Sequence, residues 1–118
     1  MMIYFAASIR GGRDDVSLYA RIIELLKPYG KVVTEHVGDA NLNLGGENAS
    51  ACDIHDRDLD WLRKSDVLVA EVTAPSLGVG YEIGRAVEWK MRIICLYRPG
   101  SGRQLSCRIA GCREVTVH

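Results

Sequence analysis

Between Asp66 and Val72 the chain runs through Val67-Leu68-Val69-Ala70 with scarcely a polar break. A strand that is apolar at every position, rather than at alternate ones, must be covered on both faces. That requirement sets the rest of the reading. Met2 to Ala7 is a second such run, and Arg92 to Tyr97 another. Lys31 to Thr34 is a short strand and Glu114 to Val117 a fifth, at an edge. Helical patterns lie between them. Asp14 or Asp15 can cap a helix in which Val16, Tyr19, Ala20 and Ile23 recur at helical spacing, closed by Pro28 and Gly30. A helix is expected from Asp53 to about Lys64 and another from Ser76 to Trp89. Val37 to Ala51 is polar and glycine-rich, and Arg98 to Gly111 is a loop segment with room for a short helix. Alternation of strand and helix predicts an α/β fold, a doubly wound, flavodoxin-like domain over 1–118 with a five-stranded, mainly parallel sheet.

Composition narrows the function classes. Fifteen basic and fifteen acidic residues cancel over 118 residues, so the whole chain carries no signature of nucleic-acid polymer or membrane binding. From Trp89 to Arg113 the charges are Lys90, Arg92, Arg98, Arg103, Arg108 and Arg113, either an anion-facing edge or a solvated basic loop. Cys52, Cys95, Cys107 and Cys112 form no CxxC pair, so neither a zinc site nor any other metal is expected. Cys95 falls in an expected core strand and reads as a small buried hydrophobe. No charged-then-apolar leader opens the chain, and a reducing cytoplasmic setting, or a nuclear one, is expected.

In doubly wound sheets, ligands lie outside the carboxyl ends of the strands. Two segments reach that edge with anion-binding chemistry. Ser76-Leu77-Gly78-Val79-Gly80 opens a helix, whose first-turn N–H groups attract anions. Ser8-Ile9-Arg10-Gly11-Gly12-Arg13 follows the first strand with a hydroxyl, a guanidinium and flexible backbone donors. Neither is a Walker A loop or a GxGxxG fingerprint, so dinucleotide binding and a cofactor are not expected. Gly78, Gly80 and Gly84 weaken a helix and point to close approach of its backbone to a ligand or to the sheet.

Two carboxylates stand out. Asp58 is four residues from both Ile54 and Leu62, on the face that the Ile54, Trp61 and Leu62 stripe turns to the core; Asp56 and Asp60 point elsewhere. A carboxylate there must be paired, protonated or functional. Desolvation suits it to general-acid work, and the plainer alternative is a buried Asp accepting backbone or Arg hydrogen bonds. Glu82 flanks the buried stripe of Val79, Ile83 and Ala86 in the first two turns of its helix, where the positive helix end favours ionisation. An ionised, shielded carboxylate can act as a nucleophile; the alternative is a Glu that merely stabilises the helix end. Tyr4, near the carboxyl end of the first strand, reads as a core tyrosine, and His36 follows the second strand at the crevice border. Two carboxylates without a metal motif point to glycosidase-type acid and nucleophile chemistry.

The runs Ile3 to Arg13, Ile54 to Leu62 and Ala70 to Ala86, with Cys95 to Pro99 and Ser101 to Arg103, resemble the 2'-deoxynucleoside 5'-phosphate N-hydrolases of the nucleoside 2-deoxyribosyltransferase superfamily. The resemblance implies cleavage of the N-glycosidic bond of a deoxynucleoside 5'-monophosphate, releasing free base and 2-deoxyribose 5-phosphate. It implies Glu82 as nucleophile, Asp58 as proton donor or sugar holder, and Tyr4 as the residue orienting Glu82. It places Ser8, Ile9, Arg10, Gly11, Ser76 and Gly78 on the 5'-phosphate, and implies a homodimer in which Ser106 reaches the neighbouring site. The family continues beyond the position of His118 and has glycine at the position of Ala7. Base exchange by a deoxyribosyltransferase, cleavage of ribonucleotides by a CMP-type glycosidase, and nucleotide binding without catalysis are the rival readings.

Overall fold

A computed structural model of the chain describes residues 1–8, 16–33 and 50–118. The strands are β1 (Met2–Ala6), β2 (Lys31–Val33), β3 (Val67–Glu71), β4 (Arg92–Leu96) and β5 (Val115–Val117). The helices are α1 (Val16–Leu26), α2 (Ala51–Lys64), α3 (Leu77–Glu88) and the short α4 (Cys107–Ala110). The strands form one sheet in the order β2-β1-β3-β4-β5, and every pairing is parallel. This is the flavodoxin-like order, in which the crevice opens where the winding reverses, at the carboxyl ends of β1 and β3.

The period-2 alternation of side chains sorts the core into two layers. Tyr4, Ala6, Leu68, Ala70, Ile93 and Cys95 face Leu62 of α2 and Val79, Ile83 and Ala86 of α3. Ile3, Phe5, Val67 and Val69 face Tyr19 and Ile23 of α1 on the opposite side. All five residues of β3 are buried, as its uninterrupted apolar run requires. Register places Ala6 of β1 opposite Ala70 of β3, so Ser8 and the β3–α3 loop emerge side by side.

The expected elements all appear where they fall in described residues, with shifted ends. α2 begins at Ala51 rather than Asp53 because the Ser50 hydroxyl caps it, accepting from the Asp53 amide at 3.2 Å. Leu59 and Leu62, rather than Ile54 and Trp61, are the fully buried positions of that helix. Ile54 and Trp61 are partly buried, which leaves Trp61 available to other contacts. Asp14, Asp15 and the stretch from Thr34 to Ala49 lie outside the described residues.

Leu62 has no exposed surface and joins α2 to the sheet. Leu62→Ala should lower unfolding free energy by roughly 2–5 kcal/mol through lost burial and a residual cavity. Urea unfolding should show this as a lower midpoint at unchanged slope; a loss well under 1 kcal/mol would mean that α2 is not anchored there.

Candidate active site

The site is assembled by three elements that meet at the crevice. Tyr4 sits in β1, Asp58 on α2 and Glu82 on α3. The Tyr4 hydroxyl donates to Glu82 Oε2, a contact that spans 78 residues of sequence. Tyr4 is 2% exposed, so the hydrogen bond holds a core tyrosine and a candidate catalytic group at once. Asp58 is near enough for its charge to act on both. The two candidate carboxylates and Tyr4 therefore form one cluster, although no spacing in sequence relates them.

Electrostatics in the cluster run against the expectation for Glu82. The positive end of α3 favours an ionised side chain, but burial dominates and pushes the Glu82 carboxyl up to about 7. The hydrogen bond from Tyr4 pulls the other way, and the charge of Asp58 raises it further. In the free protein near neutral pH, Glu82 is thus divided between its acid and its carboxylate. Burial also raises Tyr4, and the charges of Glu82 and Asp58 and the hydrogen bond to Glu82 add to this, so Tyr4 keeps its proton as a donor.

Asp58 follows the paired alternative. Its Oδ1 accepts from Arg57 Nε at 3.1 Å and from Arg57 Nη2 at 2.9 Å. Its side chain retains 21% of its surface, open enough to reach a ligand. Asp56 and Asp60 are exposed, as expected. His55 and Tyr81 form a second tie across the α2–α3 seam, with Nε2 and the hydroxyl 2.8 Å apart and the rings tilted against each other.

The candidate anion-binding part lies at the N-terminus of α3. Ser76 caps α3, its Oγ accepting from the Val79 amide at 3.2 Å. The hydroxyl proton is still available to a ligand. The amides of Leu77 and Gly78, in the same first turn, meet no acceptor among the described residues. Ser8 is more telling. Its hydroxyl is buried, with no exposed surface, and has no hydrogen-bond partner among the described residues. A buried hydroxyl left in this state costs free energy unless something else fills its demand. An anion at the α3 N-terminus would do so.

One expectation changes in part. Gly78, Gly80 and Gly84 do not bring the helix against the sheet; they lie on its exposed side, and a Cβ at Gly80 or Gly84 would meet only open space. Ser106 is exposed at the start of α4 and its side chain caps nothing, so within its own chain it is not joined to Tyr4, Asp58 or Glu82. Ile9, Arg10, Gly11 and His36 lie outside the described residues. Cys95 is fully buried, and burial pushes its thiol up to about 11, which makes it an inert core side chain.

Glu71 went unread in the sequence. It is 2% exposed at the end of β3. Its Oε1 accepts from the Thr73 amide at 2.7 Å and its Oε2 from the Thr73 hydroxyl at 3.1 Å, while Thr73 Oγ1 accepts from the Arg98 amide at 3.0 Å. This bracket fixes the turn that leads to Ser76 against the end of β4. An acid closing an apolar strand two residues before a threonine was the available signal.

The nucleoside 2-deoxyribosyltransferase family model matches residues 3–107. The chain belongs to that family. It is 58% identical over 113 residues to the 5-hydroxymethyl-dUMP N-hydrolase of Tetraodon nigroviridis, an overlap of 94% of this chain and 80% of that one. It is 60% identical over 114 residues to the enzyme of the same name from Mus musculus, covering 95% of this chain and 66% of the mouse chain. The solved structure of a CMP N-glycosidase from Clostridium botulinum overlays with a TM-score of 0.70 at 20% identity, covering 100% of this chain and 85% of the other, which establishes a shared fold.

The position of Glu82 has a cost in stability. Its carboxyl sits at about 7 in the folded protein against an ordinary 4.5, so the folded state holds more protons between those values and stability falls as pH rises through them. Glu82→Gln removes that cost. At pH 8 the variant should be the more stable by roughly 1–3 kcal/mol, and the gain should disappear by about pH 4. Chemical denaturation at the two pH values checks this; equal stability at pH 8 would show that burial does not perturb Glu82.

Proposed function

We propose that this protein hydrolyses the N-glycosidic bond of 2'-deoxynucleoside 5'-monophosphates, releasing free base and 2-deoxyribose 5-phosphate. The observation that carries the reading is the Tyr4–Glu82 hydrogen bond, with Asp58 beside it, at the foot of an anion-binding helix end. The family membership and the close relatives named 5-hydroxymethyl-dUMP N-hydrolase support it.

The mechanism follows from the placement of the groups. The transition state for leaving of the base is oxocarbenium-like and positive at C1'. Glu82, as its carboxylate, stabilises that charge and attacks C1', so that the C1'–O bond to Glu82 forms as the C1'–N bond breaks. Tyr4 donates to one oxygen of Glu82 and sets the direction of the other. Asp58 supplies a proton to the departing base or holds the sugar. Water then attacks C1' and gives its proton to Asp58, now acting as base after protonating the departing base, the ester to Glu82 breaks, and two inversions give net retention. The 5'-phosphate is remote from the breaking bond, yet its binding energy fixes the sugar for attack. Ser8, the Leu77 and Gly78 amides and Ser76 are the phosphate side in this reading; the roles of Ile9, Arg10 and Gly11 on the phosphate and of His36 toward the base or sugar rest on the sequence alone.

The partner-free hydroxyl of Ser8 is the reason to prefer phosphorylated substrates to nucleosides, which would leave it unsatisfied. Exposed Ser106 fits a role in the site of a second copy, so the working unit in this reading is a homodimer. Base exchange by way of the same Glu82 ester is the competing reading, and the family's name favours keeping it in the test.

Incubation with deoxynucleoside and ribonucleoside 5'-monophosphates, with the matching nucleosides, and with a second free base separates these readings. Base release from deoxynucleoside monophosphates alone is expected, with the acidic limb of kcat/KM near 7, where Glu82 ionises. Glu82→Ala should abolish release. Exchange without net hydrolysis would favour a transferase, and activity surviving in Glu82→Ala would remove the nucleophile. Ser8→Ala should raise KM for the monophosphate about tenfold through one lost anion contact, with little change in kcat.

A further inference from the structure

Arg57 and Asp58 are consecutive on α2, and consecutive residues of a helix do not face each other. Arg57 nevertheless donates twice, from Nε and Nη2, to the single oxygen Oδ1. Trp61 makes this possible. It stands one turn further along α2, and the Arg57 guanidinium lies over its ring with Cζ 4.8 Å from the centroid. The ring holds the guanidinium plane against the helix and aims its donor edge at Asp58. The pair is half-buried, with 30% and 21% of the side-chain surfaces exposed, where charge is less screened than on an open surface.

The charge of Arg57 also reaches the catalytic cluster. Asp58 makes ionisation of Tyr4 and Glu82 harder, while Arg57 acts on Tyr4 in the opposite sense. Among the described residues, the titratable and charged groups acting on Glu82 are Tyr4 from β1 and Asp58 from α2, and Arg57 reaches it through its grip on Asp58. On α3 itself, Tyr81 is hydrogen-bonded to His55, and Arg85 lies over the rings of Tyr81 and Trp89.

We propose that Arg57 is a positioning residue of this site, which grips Asp58 by Oδ1, leaves Oδ2 as the oxygen for substrate, and offsets the negative charge of Asp58 beside Glu82. The inference rests on Asp58 and Glu82 being the catalytic carboxylates. Arg57 itself touches no reacting atom. Its guanidinium works through the angle and the net charge of its neighbour. Lysine in its place would keep the charge but not the planar two-donor edge, and glutamine would keep a donor but not the charge.

The test is the pH profile of kcat and kcat/KM on a deoxynucleoside 5'-monophosphate for the full chain, Arg57→Gln and Arg57→Lys, with thermal melts of each. With the charge gone, Asp58 weighs fully on Glu82, and the acidic limb of Arg57→Gln should move up by on the order of half to one pH unit. Its plateau kcat should fall about tenfold with KM little changed, because the loss is in transition-state geometry. Arg57→Lys should keep the wild-type limb and lose kcat. A merely structural Arg57 would lower the melting temperature and leave the limb in place in both variants; that result, or equal limb shifts in Gln and Lys, overturns the proposal. Asp58→Asn and Glu82→Ala are assayed alongside. Full activity in those two would sink the glycosidase reading itself, whereas inactivity there with wild-type profiles for both Arg57 variants would sink the role of Arg57 alone.

Discussion

The hydrogen bond from Tyr4 to Glu82 is the interaction on which the site depends. It joins the second strand of the sheet order to the helix that follows the central strand. Burial would by itself drive Glu82 to its neutral acid, which is no nucleophile. The phenol, kept protonated by its own burial and by the surrounding negative charge, returns part of that loss by solvating the carboxylate. The balance leaves Glu82 at about 7, where a small change in surroundings, such as binding of a substrate, decides its state. A group ionised firmly at neutral pH would be better solvated and less reactive.

Around that bond the fold supplies two kinds of support. Apolar packing of Val79, Ile83 and Ala86 fixes the rotation of α3 and so the direction of Glu82. Polar brackets fix the loops. Glu71 and Thr73 hold the turn before Ser76, and Ser76 then closes the helix end. Ser76 and Glu82 are therefore carried by one helix, and the distance from the helix N-terminus to Glu82 is a property of α3 itself. In the proposed reaction, binding energy at the phosphate would serve alignment at C1' through that helix.

Much of this was legible in the residues. Uninterrupted apolar runs at β1, β3 and β4 specify a sheet covered on both faces, and β3 is buried throughout. Helical spacing identified Val79, Ile83 and Ala86, and the position of Glu82 beside them. Asp58 was marked by its place on an apolar face. The start of α2 was misplaced by two residues because a capping hydroxyl, Ser50, competes with the acidic residue that follows it. Of the two uses expected for the glycines of α3, approach to the sheet does not hold and approach to a ligand stays open, since glycine in a pattern signals missing side-chain volume without saying which side is empty. Glu71 and Arg57 escaped notice because their meaning lies in their partners.

The sequence by itself determined the order of elements, the two-faced burial of the sheet, the helix end at Ser76 and the candidates Asp58 and Glu82, since periodicity and capping are local properties of the chain; Tyr4 entered through the family resemblance. Tertiary structure alone decided that Tyr4 donates to Glu82 across 78 residues, that Ser8 is buried with no hydroxyl partner among the described residues, and that burial raises the Glu82 carboxyl. The reason is physical. Solvation and hydrogen bonding depend on what surrounds an atom in space, and parallel strands bring together residues whose separation along the chain carries no trace of that contact.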